Sequence, residues 1–332
     1  RHQPDRAGIP LFPSSDDDGS KKPDYWTLTQ RDAVAMVGLT GFRYGYERAG
    51  GCVRLEIRLE PERLEMLPLH YREALQAVIY RYLPKEIGQP LHDGQYWAAE
   101  RPLKLFVFSQ LHGGVRYRPG EGVEVTGPVW FRFASPDRNL ALGLAAGLLQ
   151  FGRVRIASLD FAVREIATLA VPEVGDRLVV RALSPITVYR TVELDGKRRT
   201  QYYNPLNEEF GELVAANLER KARALGFLPV RSAPAPVDGE QPATPEHGTA
   251  LLRVRPLGVH PRAKRLERYK GTWIEGWVGR FLLEGPSEFL RLALEAGLGA
   301  KNSQGFGYVV EVEPRTELGH ARRAQEPRGV DE

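Results

Sequence analysis

Gly297-Leu298-Gly299-Ala300-Lys301-Asn302-Ser303-Gln304-Gly305-Phe306-Gly307 is the stretch on which the reading of this chain turns. The preceding segment 287–296 has the pattern of an amphipathic helix, and the following segment 308–312 that of a strand. A helix ending at Gly297 uses the left-handed conformation that glycine tolerates. The remaining glycines leave backbone N–H groups able to approach an anion, and Lys301 adds a charge. One reading is a phosphate-contacting loop on a helix-to-strand turn. The other is a turn that lets a helix pack on a sheet. The triphosphatase and dinucleotide loops both run from strand into helix, so neither fits, and no Gly-x-x-x-x-Gly-Lys-Ser/Thr occurs.

Working outward, the periodicities predict an α+β chain of tandem ferredoxin-like (RNA-recognition-module-like) domains. Strand 53–60 alternates Leu55, Ile57 and Leu59 with Arg54, Glu56 and Arg58, as a sheet with one solvent face should. Helix 70–83 places Leu75, Val78, Ile79 and Tyr82 on one face. Strands at 104–109 and 128–134, a helix at 140–149 and a strand at 154–166 complete a β-α-β-β-α-β order. A second copy runs through strand 177–183, helix 207–225, strands 250–258 and 272–284, helix 287–296 and strand 308–313. The expected division is an extension 1–52, an N-terminal domain 53–170 with the catalytic residues, a C-terminal domain 171–314 with the Gly-rich loop, and a charged tail 315–332. The extension is expected to be largely disordered, with its Pro-, Asp-, Ser- and Lys-rich start, and the Pro-rich stretch 233–248 to be a mobile insertion.

Composition narrows the class. A chain of 332 residues suits two domains, and 42% hydrophobic content suffices for packed cores. The net charge of +4 permits nucleic-acid binding. A lone cysteine, Cys52, excludes an internal disulfide and a cysteine-rich zinc site. No apolar run is long enough to span a membrane, and the N-terminus is unlike a secretory signal, so a cytoplasmic protein is expected.

Of the seven histidines, His92 stands out. It precedes Asp93-Gly94, a turn signal, and should project from a loop. His112 is the runner-up, and no histidine spacing suggests a metal site. Basic residues crowd 253–270: Arg253 and Arg255 on a strand, then Arg262, Lys264, Arg265, Arg268 and Lys270 in the next loop, interleaved with Tyr269 and Trp273. Such a set offers phosphate contacts and stacking platforms. Arg220, Lys221 and Arg223 on a helix read as ordinary solvated surface.

The Gly-rich loop and the β-run after it resemble the signature of the CRISPR-associated repeat-RNA endoribonucleases, Cas family six, of the repeat-associated RNA-binding superfamily. The likeness extends in order along the chain. Val53-Arg54-Leu55-Glu56-Ile57-Arg58-Leu59 resembles the family's first strand, with Val53 where its initiator would be. Leu67-Pro68-Leu69-His70-Tyr71 and Leu75-Gln76-Ala77-Val78-Ile79-Tyr80 resemble its first helix. Leu91-His92-Asp93-Gly94, Leu103-Lys104-Leu105-Phe106-Val107-Phe108-Ser109 and Leu183-Ser184-Pro185-Ile186 match later segments.

The resemblance implies cleavage of CRISPR precursor RNA within repeats by 2′-OH attack, giving a 2′,3′-cyclic phosphate and a 5′-hydroxyl, with no metal and no cofactor. It implies His92, Lys104 and Tyr80 as the catalytic set, although Tyr80 also reads as a core residue and Lys104 as a strand-end charge. It implies RNA contact by Gly297, Gly299, Lys301, Asn302, Ser303, Gly305 and Gly307 together with the basic set. Its partners would be CRISPR repeat RNA, precursor and processed, and other effector subunits, with a monomer or homodimer as the assembly. A non-catalytic RNA-binding subunit of an effector complex and a nucleotide-dependent enzyme are the rival functions. The absent triphosphatase motif argues against the second.

Overall fold

The computed structural model describes residues 25–27, 53–93, 96–98, 101–170, 172–228, 251–258 and 260–312. The rest of the N-terminal extension, the Pro-rich insertion and the charged tail lie outside the described residues. The N-terminal half runs β1 (Tyr25–Thr27), β2 (Val53–Pro61), β3 (Met66–Leu67), α1 (Tyr71–Tyr82), α2 (Lys85–Asp93), β4 (Tyr96–Ala98), β5 (Arg101–Leu103), β6 (Val107–Phe108), β7 (His112–Arg118), β8 (Gly122–Ser135), α3 (Arg138–Phe151), β9 (Arg153–Ile156) and β10 (Leu159–Leu169). The C-terminal half continues β11 (Arg177–Ala182), β12 (Tyr189–Leu194), β13 (Lys197–Tyr202), α4 (Glu208–Ala224), β14 (Arg253–Leu257), β15 (Lys264–Tyr269), β16 (Thr272–Trp277), β17 (Arg280–Glu284), α5 (Ser287–Ala296) and β18 (Val309–Glu311).

The pairing repeats itself. In the first half β10, β2, β8 and β6 lie side by side, and in the second β18, β11, β17 and β14 do. Each set puts the strands of a β-α-β-β-α-β unit in the order fourth, first, third, second, all antiparallel. Two ferredoxin-like domains in tandem follow. Their cores are separate. Leu55, Ile57, Phe131, Phe133 and Phe161 pack with Leu144 and Leu148 of α3 in one. Val180, Phe281 and Leu283 pack with Phe210, Val214 and Leu218 of α4 and Leu290 and Leu294 of α5 in the other. Asp137 starts α3 by accepting from Asn139 N at 2.9 Å. Among the described residues no helix is long and apolar enough to cross a membrane.

Several expectations are corrected. The strand expected over 104–109 is only Val107–Phe108, because Arg101–Leu103 pair back on Tyr96–Ala98. The strand expected over 154–166 is a hairpin of β9 and β10. The run 272–284 splits into β16 and β17, and β16 pairs with β15 where a loop was expected over 262–270. That strand escapes a periodicity reading because Lys264, Arg265, Leu266 and Arg268 are all exposed, so nothing alternates. Tyr25–Thr27, within the extension, add an edge strand to β10.

The face of β2 read as solvent-facing is covered. Arg54 and Glu56 are only 4% and 3% exposed. In register they lie opposite Ala134 and Arg132, with Arg58 opposite Trp130. Ala134 and Trp130 pack on Leu183, Tyr308 and Val310 of the second half. Glu56 is held there by Arg58 at 2.9 Å and Arg132 at 2.8 Å. A buried carboxylate is tolerable only when so paired. The polar face of the first strand is therefore the seam between the domains.

Candidate active site and RNA interface

Helix α1 and the tip of the β15–β16 hairpin meet along one helical face. Arg72, Glu73, Gln76 and Tyr80 recur at three- and four-residue spacing and so share a side of α1. Arg72 is buried. It donates to Gly305 O at 2.7 Å and to Gln110 Oε1 at 3.0 Å, pairs with Glu267 at 2.7 Å, and lies over the Phe306 ring. Gln76 donates to Ser303 O and accepts from the Tyr269 hydroxyl. The Glu73 carboxylate accepts from the backbone N–H of Lys270. These bonds join the first helix, the Gly-rich loop and the hairpin.

Two of the expected catalytic residues lie in the same place. The Lys104 ammonium sits 5.1 Å from the centre of the Tyr80 ring. Tyr80 also meets Phe106 edge-on. Burial, and then Tyr269, pushes the Tyr80 hydroxyl up to about 12. It is protonated near neutral pH, which suits it to donating a hydrogen bond. Burial lowers Lys104 and the nearby Lys270 charge adds to the effect. His92 lies in the last turn of α2, and its side chain is outside the described residues. The expected projecting loop is thus a helix end. Ile87 and Leu91, one turn apart and buried, hold α2 to the core, and the helix runs to Asp93.

His112 plays another part. Its ring stacks on Trp130 at 4.4 Å, and burial, followed by Arg132 and Arg181, depresses it to about 4. It is a neutral ring packed in the domain seam.

The Gly-rich loop is mostly buried. Gly297 has φ 74 and ψ 169, a region open to glycine alone rather than the expected left-handed cap. The carbonyls at this helix end are answered instead by Lys221, whose Nζ donates to Ala296 O at 3.1 Å and Gly297 O at 2.7 Å. Lys221 is 5% exposed and depressed well below an ordinary lysine by burial and Arg220. The solvated-surface reading of this lysine is overturned. A charge at a helix C-terminus with carbonyl partners is stable where a bare one would not be. Asn302 bridges the loop to itself, donating to Leu298 O and Phe306 O at 3.0 Å each. A Cβ on Gly307 would lie 1.9 Å from Leu298 O, and one on Gly305 would lie 2.8 Å from the Phe108 ring. Close packing within the loop, at Gly307, and across the seam, at Gly305, demands glycine at both positions. Lys301, at φ 60, keeps its ammonium over the Tyr189 ring at 5.0 Å.

The basic set divides. Arg255 pairs with Glu284 at 2.6 Å and Lys264 with Glu275 at 2.7 Å, while Arg253 is exposed on the same strand as Arg255. Arg262, Arg265, Arg268 and Lys270 are exposed and form no ion pair among the described residues. Arg268 lies directly opposite Trp273, which is 56% exposed beside an exposed Leu266. The other face of the hairpin, with Glu267, Tyr269 and Ile274, turns to the protein. Sequence reasoning missed a second exposed basic strand, β13 with Lys197, Arg198 and Arg199, paired with the strand β12 that Tyr189 opens. Its signal was Asp195-Gly196, a two-residue hairpin turn with both φ positive.

A doubled ferredoxin-like fold with an exposed basic, aromatic-bearing hairpin beside a lysine–tyrosine pair is built from the unit that RNA-recognition modules also use. Comparison with known proteins narrows the class. Residues 66–167 match the family described as CRISPR-associated protein Cas6, N-terminal, and residues 169–311 match CRISPR associated protein Cas6, C-terminal. A relative from Methanocaldococcus jannaschii, named CRISPR-associated endoribonuclease Cas6 1, is 24% identical over 80% of this chain and 95% of its own length. One from Pyrococcus furiosus, named CRISPR-associated endoribonuclease Cas6, is 27% identical over 77% of this chain and 89% of its own. A solved structure of a Cas6-related gene product from Pyrococcus furiosus superposes with a TM-score of 0.64 at 20% identity, covering 79% of this chain and 99% of that one. The chain belongs to the Cas6 family.

Proposed function

We propose that this chain is an endoribonuclease that cleaves CRISPR precursor RNA within its repeats without a metal ion. The observation that carries the reading is the Lys104–Tyr80 pair, set against the basic hairpin in a Cas6-family chain. The ribose 2′-oxygen attacks the adjacent phosphorus as its proton leaves. The P–O2′ bond forms, the P–O5′ bond breaks, and the 5′-oxygen takes up a proton. The products are a 2′,3′-cyclic phosphate and a 5′-hydroxyl. His92 transfers protons, since an imidazole titrates near neutral pH. The protonated Tyr80 donates a hydrogen bond to the reacting phosphate, and Lys104 answers the charge that grows on it.

RNA binding is assigned to Arg262, Arg265, Arg268 and Lys270, with Trp273 as a stacking platform, and to Lys301 on the Gly-rich loop. Arg253 extends this surface along β14. The loop's glycines hold Lys301 in place beside Tyr189. Incubating the protein with repeat RNA in EDTA tests the reading. A single cut bearing the cyclic phosphate is expected. Binding without cleavage would leave an RNA-binding subunit, and failure to bind would sink the proposal.

Three variants separate the roles. Lys104→Ala is expected to slow single-turnover cleavage far more than it weakens binding, because its charge meets the transition state. Tyr80→Phe should slow cleavage with an unchanged melting temperature. A parent-like rate would return Tyr80 to the core. Lys301→Ala is expected to flatten the salt dependence of RNA binding by about one ion. An identical slope would make the loop purely structural.

A further inference from the structure

The tip of the β15–β16 hairpin is a two-residue turn, Lys270-Gly271, with φ 46 and φ 78. Such turns favour Asn or Asp before Gly, since both positions need positive φ. The β12–β13 hairpin obeys this with Asp195-Gly196 at φ 52 and φ 67. A lysine in the left-handed region carries a backbone cost of about 1 kcal/mol or more. A lysine where the sister tip has the better-suited aspartate points to a function of the Lys270 side chain.

That tip is fixed against α1 by two bonds, Lys270 N to Glu73 and the Tyr269 hydroxyl to Gln76. One turn beyond Gln76 stands Tyr80, with Lys104 over its ring. We infer, on the basis of the proposed cleavage reaction, that the hairpin tip completes the reaction centre. Lys270 and Lys104, one from each domain, form a two-cation seat for the scissile phosphate. Neither lysine forms an ion pair among the described residues, so an incoming phosphate relieves their mutual repulsion. The depressed proton affinity of Lys104, to which Lys270 contributes after burial, agrees with this closeness. The described titratable groups around Lys104 are Tyr80 and Lys270, with Tyr269 and Glu73 one contact further.

Lys270→Asn removes the charge and suits the turn, so the fold is protected. Its melting temperature should equal or exceed the parent's. Single-turnover cleavage at neutral pH should fall by roughly 10²-fold, with a much smaller loss of RNA affinity. A second readout is one that a merely structural role would not move. Lys104 loses its proton on the alkaline side, and deleting a neighbouring positive charge raises its pKa. The alkaline limb of the rate at sub-saturating enzyme should therefore shift to higher pH. Lys270→Arg, which keeps a cation, should recover most of the rate, and Lys270→Gln serves as a second neutral variant. If Lys270→Asn and Lys270→Gln cleave like an active parent with an unmoved limb, or if Lys270→Arg is as slow as Asn, the seat is refuted and cleavage stands. A parent that binds repeat RNA and never cuts it removes the reaction itself, and the seat with it.

Discussion

His92→Ala is expected to cleave repeat RNA at least roughly 10²-fold more slowly in single turnover, with little change in affinity. Proton transfer by a positioned imidazole contributes gains of that order, and Tyr80, pushed up to about 12, stays protonated and cannot replace a base. His112 is the weaker base of the two histidines. It is depressed to about 4 and stacked on Trp130 in the seam between the domains. A single 2′-deoxy nucleotide at the cut should abolish the reaction altogether while binding persists, because the nucleophile is gone. Cutting of that RNA would mean that an external water attacks. A parent-like rate for His92→Ala would shift the proton-transfer role to another group.

Gly307→Ala should cripple folding. Its Cβ would sit 1.9 Å from Leu298 O and 2.8 Å from the Asn302 amide, on a residue at φ 75. Backbone strain of about 1–3 kcal/mol and a comparable overpacking cost add there. A loss of about 3 kcal/mol or more corresponds to a melting temperature lower by roughly 10 °C if the C-terminal domain, about 140 residues, melts as its own unit. Gly127, with nothing within 4 Å of a Cβ, is the matched control, and Gly127→Ala should melt like the parent. Normal melting of Gly307→Ala with impaired RNA binding would return the loop to the phosphate-cradling reading. Normal melting with normal binding would remove both.

Much of the fold was legible in the sequence. The apolar alternation of Leu55, Ile57 and Leu59 and the apolar stripe of α1 follow from local period, and both recur in the structure. Two successive β-α-β-β-α-β patterns gave the doubled domain, because an element's buried face is written in its own residues. The strand β15 was not legible. It is held by its ladder to β16 rather than by an apolar face.

The site was legible in part. Residue identities and the family resemblance singled out Tyr80 and Lys104, which the fold brings within 5.1 Å. Arg72 and Gln76 carried no signal, and Tyr269 read as a stacking platform although it is buried, since their partners lie some two hundred positions away along the chain. Lys221 looked like solvated charge for the same reason. Its acceptors are the carbonyls at the end of a different helix.

What the sequence determined by itself was the order of the elements that carry an apolar face, and the glycine-rich turn at 297, 299, 305 and 307. What only the tertiary structure decided was what answers each polar face. Arg54 and Glu56 alternate with apolar residues as a solvent face would, yet the second domain covers them. Periodicity records that a face is polar. It cannot distinguish water from a salt-bridged seam, because both satisfy charge equally well in the local pattern. A glycine likewise records that no side chain fits. Only the packed neighbours, Leu298 O for Gly307 and Phe108 for Gly305, show what occupies the space.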